Sequence, residues 1–289
     1  MCVIVAKYFD DKGWIGVKNR DRNYTPEISF EILNKSGNER LLFHDDITGY
    51  KEGLNGHGVS ILSASLMVID DEKEVKKGDT DNSPDGRRIA DALKQETASN
   101  AARECINNKL TGNTIIFDRD NMFLLEAVSK AGNYFYKIKK IPKTETVART
   151  NHGIWIPWAG YQRSDDDESQ TMSRISSEAR LLQAQYLVSK AKDPEELVDS
   201  LCQVYVDNPQ LNVMRTSTER KKMRTTAQEL IIPSERTLYC RPVSSHITFD
   251  FWKLNKPNHN TWVELLSNRA LWQNTKGDPP FTSNGMKHS

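Results

Sequence analysis

The chain opens MCVIVAKYFDDKGWIGVKNRD, with a cysteine at position 2 directly ahead of an apolar run. Cysteine there is small enough for the initiator methionine to be removable, which would leave Cys2 carrying both a thiol and a free α-amine. An α-amine titrates near about 7.7–8.0, against about 10.4 for lysine, so a useful share of it is unprotonated at neutral pH. A cysteine nucleophile needs a base or a neighbouring cation. Here the base would hang from the nucleophile's own α-carbon, so no entropy is lost in bringing the two together. That suffices for attack on an acyl carbon. Taken by itself, Cys2 reads equally well as a small apolar strand residue.

The next chemical cluster is Lys18-Asn19-Arg20-Asp21. The Asp11-Lys12-Gly13 turn predicts an antiparallel hairpin that brings residues 18–21 back beside Cys2. A carboxylate there could orient an ammonium, and a cation would favour thiolate; the same residues also suit the solvated end of a hairpin. Arg20, two residues beyond Lys18, is expected on the other face of the strand. His152 beside Asn151, and His44 beside Asp45 and Asp46, invite a Cys–His dyad, but the Cys-Gly-x-Cys-aromatic context of the papain type is absent. The four cysteines (Cys2, Cys105, Cys202, Cys240) are far apart, with no CxxC pair and no histidine at ligand spacing, so neither disulfides nor a metal site is expected, and no cofactor. Cys105 and Cys202 fall in helical patterns as small buried groups.

Met-Cys followed by a strand ending Lys18-Asn19-Arg20-Asp21 resembles the N-terminal-nucleophile (Ntn) hydrolases of the choloylglycine hydrolase and penicillin V acylase family, with their acyltransferase relatives. That family's strand reads Arg-Asn-x-Asp, so Asp21 keeps its place and Lys18 stands for the arginine. LNGHGVSILSASL resembles the family's Asn-x-x-Gly turn through Asn55 and Gly58, with Ser65 where choloylglycine members carry asparagine. TIIFDRDNMFLLEA resembles an acyltransferase-type hairpin through Asp118 and Glu126. Thr150-Asn151 resembles the family's Thr-Asn, and MSRISSEARLL its Ser-Arg helix start, through Arg174. The resemblance implies a four-layer αββα sandwich of two antiparallel sheets over 1–272; the Gly-, Pro- and Asn-rich tail at 273–289 is expected to be flexible and to fray. It implies a cysteine hydrolase of linear non-peptide amides, or an acyltransferase. Cys2, Lys18, Asp21, Asn151 and Arg174 would be catalytic, with Asn151 in the oxyanion hole, where one donor is worth about 2.7–4 kcal/mol. Arg20, Ser65 and Trp155 would contact substrate. No match is found for the loop carrying the family's second oxyanion donor; residues 67–82 are highly charged instead.

Two other readings stay open. A glutamine amidotransferase also starts at cysteine, although typically as Cys-Gly-Ile. A catalytically silent scaffold of the same fold would suit the lysine at 18, and retention of Met1 would lock the amine in a peptide bond. Met-Cys with Asn-Arg-Asp-Glu marks a further related family, whose glutamate is Arg22 here.

The elements that must position these residues form blocks. Short β-rich runs fill the first quarter and read as one sheet built inward from the N-terminal edge: CVIVAKYF, WIGVKN, ISFEILN, ERLLFHD and GVSILSASL. Ser83 and Pro84 open a helical stretch. TIIFDRD, MFLLEAV, NYFYKIKK and ETVARTN read as a second sheet; SRISSEARLLQAQYLVSKA and DPEELVDSLCQVYV as helices; TAQELIIP, RTLYCRPV and ITFDFWKL as strands. Segregated blocks favour an α+β layered domain, and 289 residues can bury its core. With 40 Lys and Arg against 39 Asp and Glu, the net charge of +1 suggests no nucleic-acid partner. No apolar run approaches the ~18 residues of a span, so a cytoplasmic protein without a membrane partner is expected, acting on a small acyl amide. Homo-oligomerisation is left open.

Overall fold

A computed structural model of the chain describes residues 2–24, 28–35, 38–45, 47–66, 84–204, 207–216, 223–244, 247–248, 252–255 and 287–288. The opening hairpin forms as its turn predicts. Strands β1 (Cys2–Phe9) and β2 (Gly13–Arg22) pair antiparallel, with Cys2 opposite Arg20 and Ile4 opposite Lys18. Gly13 makes the reversal at φ +80°, a conformation costly for other residues.

The chain continues through β3 (Ile28–Lys35), β4 (Asn38–Asp45), β5 (Tyr50–Asn55), β6 (Ser60–Ala64), helices α1 (Pro84–Ala92) and α2 (Ala98–Asn107), then β7 (Gly112–Phe117), β8 (Met122–Lys130), β9 (Asn133–Ile141) and β10 (Val147–Arg149). Helices α3 (Glu168–Lys190) and α4 (Pro194–Ser200) precede β11 (Arg224–Ile232), β12 (Thr237–Ser244), β13 (Ile247–Thr248), β14 (Trp252–Asn255) and β15 (Lys287–His288). Sequence places the helix starts: Thr97, Asp167 and Asp193 each accept a backbone N–H from the first turn, and Pro194 follows the last of them.

One sheet runs β10-β1-β2-β11-β12-β13, with β14 also on β12; the other runs β15-β3-β4-β5-β6-β7-β8-β9. This corrects the sheet membership expected from sequence. The first-quarter strands do not form one sheet, because the chain crosses between layers after β2. ETVARTN does not join the second sheet either: β10 returns to flank β1, with Ile4 opposite Arg149. The last residues of the tail, expected to fray, pair with β3. Ser83, the charged stretch 67–82 and the rest of the tail lie outside the described residues.

Alternation along each strand builds four layers. Cys2, Ile4, Ala6 and Trp14 meet Leu62, Phe117 and Leu124 between the sheets. Val3, Val5, Ile15 and Val17 meet Leu181, Ala184, Val188 and Leu197 of α3 and α4. On the far side, Ile61, Ile116 and Leu125 meet Ile89, Leu93, Ala101 and Cys105 of α1 and α2. Each such side chain contributes roughly 1.5–3 kcal/mol on full burial. The sheets approach closely at Gly16, where a Cβ would lie 2.5 Å from the Phe117 ring. The result is an αββα sandwich, with Cys2 beginning a strand that is paired on both sides.

Candidate active site

Period-two geometry sorts the residues of β2. Lys18, Arg20 and Arg22 point between the sheets with Cys2, whereas Asn19 and Asp21 point toward the helices. Arg20 therefore shares the face of Lys18, contrary to the sequence expectation, because residues two apart along a strand lie on one side. Lys18 Nζ pairs with Glu52 Oε1 and donates to the Ser63 carbonyl at 2.8 Å. Arg20 binds Glu52 at 2.5 Å and Asp45 at 2.9 Å, with its guanidinium 4.8 Å from the Phe43 ring centroid. Arg22 Nε holds Asp45 at 3.0 Å, and its Nη1 reaches Cys2 Sγ at 3.7 Å. Glu52 and Asp45 come from β5 and β4, so the second sheet supplies the counter-charges for the first. Tyr24 also donates to Asp45, at 3.0 Å.

This network acts on the thiol. Burial alone would push Cys2 up, but the Lys18 ammonium, the chain's amino terminus and the Arg22 guanidinium outweigh it and bring the thiol down to about 6, against opposition from Asp21. Cys105 and Cys240 are both pushed up, chiefly by burial; at Cys240 the pull of Arg20 is opposed by Glu229 and Glu52. Asp45 lies well below the usual carboxylate range because the attraction of Arg20 and Arg22 overcomes its burial.

Asn151 reaches Cys2 from the other flank. Its side-chain Oδ1 accepts from the Cys2 nitrogen at 2.6 Å, and its Nδ2 donates to the Ser65 carbonyl at 2.8 Å. Ser65 thus touches the site through its backbone, while its side chain is exposed. The Asn151 backbone N–H is held by Ser177 Oγ at 3.1 Å. His152 belongs to the same support: its Nδ1 lies 2.8 Å from Ser177 Oγ and 3.1 Å from Thr150 Oγ1, and burial, with Arg174 adding, pushes it down to about 4. It is a neutral brace for the Asn151 turn, which does not suit a Cys–His dyad.

Asp21, on the helix-facing side, binds Arg180 of α3 at 2.5 Å, lies 3.5 Å from Arg215 Nη1, and accepts from Thr225 Oγ1 at 2.9 Å. Arg174 is engaged elsewhere, with Glu178 at 2.7 Å and the Tyr161 carbonyl at 3.1 Å. The arginines that reach Asp21 are thus Arg180 and Arg215, which sequence reading passed over. Burial, with Arg180 adding, brings Arg215 down to about 9.

Glu126 of β8 accepts from the backbone nitrogens of Ile154, Trp155 and Ile156 at 3.0, 2.8 and 2.6 Å. That carboxylate pins the loop after Asn151 and sets Trp155 5.0 Å from the Arg149 guanidinium. Asn55 organises its own turn, accepting from His57 and Val59 at 2.9 and 3.0 Å, with Gly58 at φ +84°. Glu229 of β11 lies opposite Lys18, fully buried, 3.8 Å from Arg20. Neither of its oxygens makes a hydrogen bond, and burial beside Glu52 pushes it up to about 8. Among the described residues, no group of three histidine, cysteine or acidic side chains is placed to hold a metal ion.

Sequence reading missed Arg22, Glu52, Glu229, Arg180, Arg215 and Arg149. Only Arg22 had a local signal, since Lys18, Arg20 and Arg22 repeat at strand period.

By sequence, the chain matches no family model and no curated protein. Its fold is that of the Ntn hydrolases. A cysteine-to-alanine variant of the conjugated bile acid hydrolase from Clostridium perfringens superposes with a TM-score of 0.55 at 13% identity, covering 89% of this chain and 92% of that one. An arginine-to-leucine variant of the same enzyme gives 0.51 at 12%, covering 89% and 99%. Penicillin V acylase from Agrobacterium tumefaciens gives 0.49 at 11%, covering 88% and 86%. Identities this low bear on the fold alone.

Proposed function

We propose that this chain is an N-terminal cysteine amidase, cleaving a linear non-peptide C–N amide once Met1 has been removed. One observation carries the reading: the Cys2 thiol is held acidic by Lys18, the amino terminus and Arg22 while its nitrogen rests on Asn151 Oδ1. With Met1 removed, such a residue would be a thiolate beside its own ammonium at neutral pH. The thiolate adds to the amide carbonyl, forming the S–C bond and an oxyanion. Asn151 Nδ2, with one N–H on Ser65 and one remaining, stabilises that charge. The oxyanion collapses, the C–N bond breaks, and the Cys2 ammonium gives its proton to the leaving amine. The neutral α-amine then takes a proton from water as it attacks the thioester, which releases the acid and restores the thiolate. An incoming amine in place of water would give acyl transfer.

In this reading Asp21, anchored by Arg180 and Arg215, positions the α-amine. Arg22 takes the thiolate-stabilising part that the resemblance gives to position 18, with Lys18 behind it. Arg20 holds Glu52 and Asp45 in place. Trp155, over Arg149, walls the substrate. Arg174 braces the approach through Tyr161. The shared fold with the conjugated bile acid hydrolase supports hydrolysis of a conjugate in general terms.

The test is intact mass combined with turnover of an acyl-amide panel. Loss of Met1, acylation at Cys2 and inactivity of Cys2→Ala are expected. Undiminished turnover in Cys2→Ala would sink the mechanism, and a permanently retained Met1 without labelling would favour the silent scaffold. Glutamine hydrolysis in the same panel would point to the amidotransferase.

A further inference from the structure

Outside the site, the exposed apolar surface is unevenly distributed. Of the nine large hydrophobic side chains exposed among the described residues, three lie on β9, Phe135 on one face of the strand and Tyr136 and Ile138 on the other, and two, Ile154 and Trp158, lie on the loop pinned by Glu126. Phe135 meets Trp158 edge-to-face with ring centroids 5.2 Å apart, and Tyr134 stacks on Tyr136 at 5.4 Å. β9 is the last strand of its sheet. Both faces of this edge strand therefore carry exposed rings, and apolar side chains gathered at one edge mark a contact site more often than singly scattered ones do.

Its fringe is basic. Lys130, Lys137, Lys139 and Lys140 are exposed around the aromatic cluster, and Lys130 Nζ lies 5.5 Å from the Trp158 ring centroid. Of these, only Lys139 is ion-paired among the described residues, to Glu145 at 3.2 Å. For a chain of net charge +1, this is a local concentration of positive charge.

We propose that β9 and the 154–158 loop form a peripheral docking surface for an anionic lipid bilayer. Indole and phenol rings partition to the headgroup boundary, where one end is apolar and the other wet, and lysines beside them meet the negative surface. Other occupants fit less well. A second copy docking edge to edge along β9 would bring its lysines, among them Lys137 and Lys140, against their own kind. Nucleic acid would use the rings and lysines but has no use for Ile138 and Ile154. A short run of lysines also guards a sheet edge against pairing, which explains the charges but leaves the exposed rings without a role. The sequence argument against a membrane concerned spanning segments, and no described helix is long and apolar enough to cross one. Surface docking is a separate matter. This inference stands apart from the amidase reading.

Full-length protein should co-sediment with phosphatidylcholine vesicles containing phosphatidylserine, far less with phosphatidylcholine alone, and less as salt is raised. Replacing Lys137 and Lys140 together by glutamine should lower the partition coefficient about thirtyfold, the effect of two interfacial charges. Phe135→Ser with Trp158→Ser should lower it comparably, with unchanged far-UV circular dichroism. No sedimentation with either vesicle would overturn the proposal. So would binding untouched by both pairs of substitutions, or self-association that Phe135→Ser with Trp158→Ser abolishes in a protein that ignores vesicles.

Discussion

A buried thiol is ordinarily a poor acid, and three cysteines of this chain separate burial from charge. Cys105 and Cys240 are pushed up by burial, whereas Cys2, equally buried, is brought down to about 6. The difference lies in Lys18, the amino terminus and Arg22, whose Nη1 is 3.7 Å from the sulfur. Arg22→Gln removes the cation that reaches the sulfur and keeps a polar side chain there. The midpoint of Cys2 alkylation by iodoacetamide, followed against pH, should rise by about 1–3 units. An unchanged midpoint would assign the acidity to Lys18 and the terminus alone. Cys2, Asp21 and Asn151 were legible in the sequence, because their types and order carry the resemblance. Arg22 was not, since the resemblance directs attention to position 18, and only the pairing of Cys2 with Arg20 shows how near position 22 comes.

Among the elements, the loop after β10 depends on a carboxylate from another sheet. Glu126 sits on β8, and three successive amides of residues 154–156 converge on it. Such a nest of N–H groups is stabilised by an anion. Glu126→Gln keeps the shape, loses the charge and turns one acceptor oxygen into a donor. It should destabilise the fold by about 1.5–3 kcal/mol in urea unfolding, and Trp155 fluorescence should shift toward that of a solvated indole. Native fluorescence with full stability would mean that the loop holds itself. Strands and helices were legible at this scale from alternation and turn residues. Their sorting into sheets was not. A turn residue specifies that the chain reverses, but says nothing of the layer it returns to, so the crossings after β2 and before β10 had no local signal.

At the scale of the molecule, the α+β layered class was legible because strands and helices are segregated along the chain, while the αββα order came from the resemblance. The ionic layer between the sheets was not, since Lys18, Glu52 and Glu229 come from three strands far apart in sequence. That layer leaves a signature in stability. Glu229, raised by burial and Glu52 to about 8 from an ordinary 4.5, stays protonated in the fold over a range where the unfolded chain is ionised. Its stabilisation is complete below about 4.5 and is lost as pH rises through 8. Cys2, lowered to about 6 from an ordinary 9.0, does the opposite: the unfolded chain holds the extra proton, so stability grows as pH rises from 6 to 9. His152, lowered to about 4 from 6.5, is neutral in both states above 6.5 and drops out there. Between pH 6.5 and 8 the Cys2 and Glu229 slopes oppose each other, and the wild-type unfolding free energy should be nearly flat. Glu229→Gln should uncover a rise of up to about 1.4 kcal/mol per pH unit, and Cys2→Ala a fall of similar size. Urea titrations of the three proteins across that window decide the matter. A Glu229→Gln profile parallel to wild type would mean that this carboxyl is ionised in the fold, with Lys18 and Arg20 carrying its charge as well as that of Glu52.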